Sequence, residues 1–286
     1  MNKKVFCFVL FTLFCLVGKA QTKPIDTLYC TDEDKEIYEH YLSAMETKKS
    51  LPPGSLMVET ARFFLGCPYV ASTLEKVPEG VVVNLRELDC MTLVETTAAL
   101  VRSLKAGHPS FSDYCRILKT QRFRTSVITD YTDRLHYTTD WIYENERRGW
   151  VKDVTKDIGG KPLAINLSFM STHPDSYKQL NNAPELIAKI AAKEKEINAR
   201  PHYYIPETEI NIHASGIRNG DIVCFVTTVE GLDISHVGII CREGDKLTFI
   251  HASSNKKQVI VNEVPLQDYV RSIKRNSGIM VVRPQF

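Results

Sequence analysis

The stretch "ISHVGIICREGDKLTFIHAS", Ile234–Ser253, decides the architecture. It consists of two short β-branched runs that meet at Gly244-Asp245, a dipeptide suited to a two-residue hairpin turn. Pairing outward from that turn sets His236 opposite Ser253 and places His251 two residues back on the same face. The two imidazoles then become diagonal neighbours, while Val237, Ile239 and Cys241 point the other way, into the core. The same chemistry recurs on either side in "DIVCFVTT", "KQVIVNEV" and "GIMVVRP", with "EGLD" as a further turn, so the C-terminal third reads as an antiparallel meander.

Ahead of the meander the period changes from two to that of a helix. "TDEDKEIYEHYLSAMETKK" offers Thr31 and Asp32 as caps and puts Ile37, Tyr38, Tyr41, Leu42 and Met45 on one face. "SLMVETARFFLG" starts at Ser55 and stops at Gly66. From Cys90, apolar Leu93, Val94, Ala98, Val101 and Leu104 recur at helical spacing up to Gly107. Further helices are expected at 112–121, 133–148 and 184–197, and 150–206 reads as an irregular insertion rich in Pro, Asn and aromatics. Helices followed by strands define an α+β chain. Without repeats or Gly/Ser linkers, residues 21–286 read as a single catalytic domain, helical over about 31–200 and antiparallel β over about 217–286.

With 286 residues, 43% hydrophobic and 24% charged, the composition excludes disordered and fibrous classes. The opening "MNKKVFCFVLFTLFCLVGKA" has two lysines, an apolar run from Val5 to Val17, and small residues at Gly18 and Ala20, the pattern of a secretory signal peptide. The run is shorter than the ~18–20 residues that span a bilayer, and Phe14 before Cys15 does not suit a lipidation signal. Cleavage is expected after Ala20, giving a periplasmic or secreted product with no stable membrane anchor. Removing this segment takes Lys3, Lys4 and Lys19 from the 36 basic residues against 34 acids. The near-neutral remainder does not point to nucleic acid or an anionic membrane.

Six cysteines follow the signal segment: Cys30, Cys67, Cys90, Cys115, Cys224 and Cys241. An even number in an oxidising compartment permits disulfides, but the spacings are wide and no CxxC occurs. Cys224 and Cys241 sit in apolar strand-like runs that suit buried thiols, and Cys115 reads as a helix core position. Cys90 differs, because it opens a helix whose unpaired N–H groups and dipole are expected to lower its pKa and to stabilise an oxyanion. That position also suits a merely packed small residue. A nucleophile needs a base and the base an orienting partner, which His236 and His251 on one hairpin face supply.

At this point five motifs in order, "GCPYVA", "LDCMTLV", "IRNGDIVCF", "SHVGII" and "FIHAS", resemble the NlpC-type papain-like cell-wall cysteine hydrolases. They span Gly66 to Val94 and Ile217 to Ser254. The resemblance implies a papain-like core, a Cys-bearing helix packed on an antiparallel β-meander or barrel, with additional N-terminal and inserted helices. It implies Cys90 as nucleophile, His236 as base, His251 as the third polar residue, Gly220-Asp221 at the start of the first core strand, and Tyr69 lining the site. The pattern departs from Asp-Cys-Ser-Gly, since Met91 and Thr92 follow the cysteine, and Met91 cannot bind a terminal amine. "NLRELDCMTLVE", "FMSTHP" and "YYIP" resemble instead an N-acetylmuramoyl-L-alanine amidase-like branch, formerly a domain of unknown function. The expected substrate contacts are Tyr69, Met91, Thr92, Ser235, His173 and Tyr204. The expected partners are muropeptides, and no metal or cofactor is implied. A γ-D-glutamyl-diamino-acid endopeptidase with the same triad and a noncatalytic wall-binding module are the alternatives.

Overall fold

The structure, a computed structural model, describes residues 27–107 and 109–286. The expected signal segment and its cleavage point lie outside the described residues.

The first half contains β1 (Leu28–Tyr29), α1 (Asp32–Met45), α2 (Pro53–Phe63), β2 (Val81–Val82), α3 (Cys90–Lys105), α4 (Phe111–Arg122) and α5 (Thr138–Arg147). The insertion forms β3 (Val151–Asp153), β4 (Lys161–Leu163), α6 (Phe169–Thr172), α7 (Pro184–Asn198) and β5 (His202–Pro206). The chain ends with β6 (Ile222–Thr227), β7 (Ile234–Glu243), β8 (Lys246–Ser253), β9 (Gln258–Val261), α8 (Leu266–Ser272) and β10 (Asn276–Pro284).

Local chemistry accounts for most boundaries. Thr31 and Asp34 form a reciprocal capping box at α1, whose Tyr38, Tyr41 and Met45 are buried. α2 begins at Pro53, two residues before the expected Ser55, because a proline in the first turn has its φ already set for a helix. α5 begins at Thr138 and not near Asp133, since Asp130 caps a separate 3-10 turn at Tyr131–Asp133 and Arg134 is extended. The hairpin register is as expected, running from Glu243 opposite Lys246 to Ile239 opposite Ile250, with Gly244 at φ +60°.

The strand order β4-β5-β10-β6-β7-β8-β9 differs from the expected meander in two ways. First, β10 does not continue beyond β9. It pairs with β6, and α8 packs on β8 and β10. Second, the insertion is not irregular, for β3 and β5 both pair with β10 and β4 extends from β5. Short strands with little apolar alternation carry no period-two signal, so only the tertiary pairing makes them strands.

The sheet is buried on both faces. Cys224, Val237, Ile239, Cys241 and Ile250 face the core built with α1 to α4. Val223, Phe225, Ile240, Phe249 and Val281 face a second core with Leu266 and Val270 of α8. The two histidines share the parity of this second face, which therefore is not a bare surface. At the entrance to β6, Gly220 adopts φ +81°, and a Cβ there would meet the Gly54 backbone at 2.5 Å, so only glycine allows α2 to approach. Asp221 follows it, buried and paired with Arg283 of β10 at 2.8 Å.

Candidate active site

Cys90 occupies the first turn of α3. Asp89 is the N-cap, its carboxylate accepting from the Thr92 N–H at 2.8 Å while the Thr92 hydroxyl accepts from the Asp89 N–H at 2.8 Å. α3 lies against β7 and β8, so the cap holds the thiol at the side of the hairpin. The backbone N–H groups of Val237, Met91 and Cys90 point at the sulfur and favour its charged form. They do not prevail. Burial, the largest influence, and then the Asp89 carboxylate push the thiol up to about 12. The lowered pKa expected of a helix start is thus overturned, because loss of hydration outweighs three N–H dipoles.

The paired strands bend where the histidine sits. Phe225 lies opposite His236 but Val226 opposite Ile234, so Ser235 is an extra, bulged residue immediately before His236. A second irregularity falls at Asn276/Gly278 on β10, at the same end of β6. The bulge exposes Ser235, whose hydroxyl donates to Asn276 Oδ1 at 3.0 Å. His236 Nε2 lies 2.7 Å from His251 Nδ1, confirming the diagonal contact, with the rings at 84°. Phe225 stacks on His236, and Phe249 lies 4.8 Å from His251. Burial, and next the neighbouring His251, lowers His236 to about 3; burial lowers His251 to about 4. Both imidazoles, like the thiol, are neutral near pH 7.

A cleft of about 390 Å³ opens beside the pair, with Ser235, His236, His251, Ser253, Tyr269 and Asn276 in its wall. Of the other expected contacts, half-buried Tyr69 bridges to Leu88 just ahead of Asp89, and after burial the neighbouring Cys90 is the next influence raising its hydroxyl. Met91 is half-buried against the first core. Thr92 is 4% exposed with its hydroxyl engaged in the cap, so it is not available to a substrate. His173 ends α6, exposed and stacked on Phe169, and takes no part in the cleft wall. Tyr204 belongs to β5, two strands from β7's neighbour β6, and is likewise absent from that wall. Sequence reasoning missed Tyr269 and Asn276. Tyr269 lies in a seven-residue helix between strands, too short for a periodic signal, and Asn276 gains its position from the β10 return.

Residues 59–279 match the family model AmiA-like, N-acetylmuramoyl-L-alanine amidase-like. The chain belongs to this family. An N-acetylmuramoyl-L-alanine amidase from Bacteroides uniformis ATCC 8492 is 37% identical over 82% of this chain and 99% of its own, with a TM-score of 0.79. A protein from Bacteroides fragilis, described provisionally as a xylanase, is 36% identical over 79% of this chain and 99% of its own, with a TM-score of 0.76. A Legionella pneumophila protein at 23% identity, covering 89% of this chain and 95% of its own with a TM-score of 0.65, shares the fold. No curated protein matches the chain. Membership makes this an amidase-like protein of peptidoglycan, and the matched span contains Tyr69, Cys90, His236, His251 and Tyr269.

Proposed function

We propose that this family member is a secreted, NlpC-type papain-like cysteine amidase that hydrolyses the N-acetylmuramoyl-L-alanine bond of peptidoglycan fragments. The observation that carries the reading is the 2.7 Å contact between His236 Nε2 and His251 Nδ1, on the strand whose Val237 N–H reaches the Cys90 sulfur. That contact occupies Nε2 of His236 and leaves Nδ1 as the ring nitrogen free to serve Cys90. For Nδ1 to accept a proton, Nε2 must carry hydrogen and donate to His251, which fixes the tautomer of both rings. Cys90 Sγ then attacks the lactyl carbonyl carbon as its proton passes to His236. The carbonyl pair moves to oxygen, and collapse expels the L-alanine amine with the proton from His236. Water, deprotonated by the same nitrogen, attacks the thioester and regenerates the thiol. Because thiol and imidazole both rest neutral, proton transfer accompanies attack rather than preceding it.

Met91 favours the amide bond over the γ-D-glutamyl bond. A free L-alanine ammonium held on the Met91 side of Cys90 would need acceptors, and burying it against that thioether and the apolar core behind it is costly. An acylated alanine makes no such demand. The test is mass analysis of products from a muropeptide and from the same peptide without sugar. The expected result is an intact L-Ala-led peptide from the first, little change in the second, and no hydrolysis by Cys90→Ala. Free L-Ala-γ-D-Glu as the main product would establish the endopeptidase instead, and turnover by Cys90→Ala at the wild-type rate would remove the cysteine mechanism.

A further inference from the structure

The mechanism above leaves Tyr269 unused, although this residue closes the surroundings of both imidazoles. Its ring lies 5.2 Å from Phe225, 4.9 Å from Phe249 and 5.8 Å from His251. Phe225 and Phe249 are the rings against which His236 and His251 pack. Tyr269 therefore completes an aromatic enclosure around the histidine pair, and within it His251 Nε2 is shut off from solvent with no hydrogen-bond partner among the described residues. The tyrosine hydroxyl stands in the opposite condition. Tyr269 is half-buried in the cleft wall beside Ser235, His236 and Asn276, and its oxygen is neither sealed from solvent nor engaged by another group among the described residues. Burial raises it first, with Cys90 the next influence, so it remains a protonated donor at neutral pH.

We propose that Tyr269 is a catalytic residue of the amidase. Its hydroxyl donates to the oxygen of the carbonyl attacked by Cys90, while its ring keeps the His236–His251 pair dry. As the carbon–sulfur bond forms, the carbonyl electron pair moves to that oxygen, and a hydroxyl already aimed there stabilises the new charge without reorganising. The hydroxyl keeps its proton throughout, since the proton released by the thiol goes to His236. When the carbon–nitrogen bond breaks, the carbonyl reforms and the hydrogen bond returns to its ground-state strength.

The inference rests on the cysteine amidase reading, and the experiment separates the two. Wild type, Cys90→Ala, Tyr269→Phe and Tyr269→Ala are assayed on one muropeptide across pH 4 to 9. Tyr269→Phe keeps the ring and loses the donor, so kcat should fall about 10²-fold, with KM within about twofold and kcat/KM still level from pH 7 down to pH 5. Tyr269→Ala also admits water to the imidazoles, so the acid limb should move up toward the ordinary histidine range. Wild-type kcat in Tyr269→Phe, with Cys90→Ala inactive, overturns the donor role alone. A Tyr269→Phe effect confined to KM and thermal midpoint overturns it in favour of packing. Activity in Cys90→Ala would instead overturn the underlying mechanism.

Discussion

Cys90 and His236 each carry a pKa shift away from charge, and the pair together defines the resting state. A helix start and three N–H groups would ordinarily favour a thiolate, yet dehydration holds the thiol near 12 and the base near 3. Two measurements follow. The base is competent only when unprotonated, which for His236 is above about pH 3 and for its partner above about pH 4. Accordingly kcat/KM should stay level from pH 7 down to pH 5, and an acid limb centred near 6.5 would contradict the depressed pair. Iodoacetamide, which needs the thiolate, should alkylate Cys90 slowly at pH 7 and faster with each unit of pH above it. Fast, pH-independent alkylation between pH 5 and 8 would mean a preformed thiolate.

Among elements, α3 and the β7–β8 hairpin set the positions of the reacting groups. Replacing the N-cap, Asp89→Ala, removes the acceptor for the Thr92 N–H and should cost about 1 kcal/mol in urea unfolding, whereas Asp89→Asn keeps an acceptor and should cost only a few tenths. Asp89→Asn also removes the carboxylate charge that raises the thiol, so alkylation of Cys90 should begin at lower pH than in wild type. In the hairpin, Gly238 lies two residues after His236. A Cβ there would stand 2.7 Å from Phe249 Cδ2 and 3.0 Å from the Ile250 carbonyl oxygen. Phe249 is fully buried and supports both His251 and Tyr269. Gly238→Ala should therefore lose about 1–3 kcal/mol in stability and reduce kcat in the same variant. Wild-type kcat would show that the aromatic support tolerates displacement.

For the whole molecule, buried neutral histidines set the response to acid. His136 is lowered to about 3, by burial first and then by the Arg134 charge, and its Nε2 meets the Tyr131 carbonyl oxygen at 2.8 Å. Between pH 3 and about 6.5 the unfolded chain holds a proton on this residue that the folded chain does not. Stability contributed by the group is thus present above about 6.5 and is lost as pH falls toward 3. His236 and His251 act in the same direction, while Glu79, raised by burial to about 7, opposes them. The difference between wild type and His136→Gln isolates one group. Wild type should lose stability more steeply over pH 6.5 to 4, by no more than one proton, when followed by urea midpoint at each pH; parallel curves would refute the assignment.

Much of this arrangement is legible in the sequence because it depends on local rules. Thr31, Asp89 with Cys90, and Gly107 mark helix ends by their own hydrogen bonds and φ angles. Gly244-Asp245 fixes a register that brings His236 to His251, since a two-residue turn leaves the strands no freedom to slip. What tertiary structure decided depends on chain segments far apart. β10 returns past α8, which packs behind the sheet, to pair with β6, and that return delivers Tyr269 and Asn276 to the cleft. The strands of the insertion exist only as neighbours of β10 or of each other. The thiol's charge state was decided there too. A helix start announces its dipole in the sequence, but desolvation is a sum over every atom packed around Cys90, and no local pattern contains that sum.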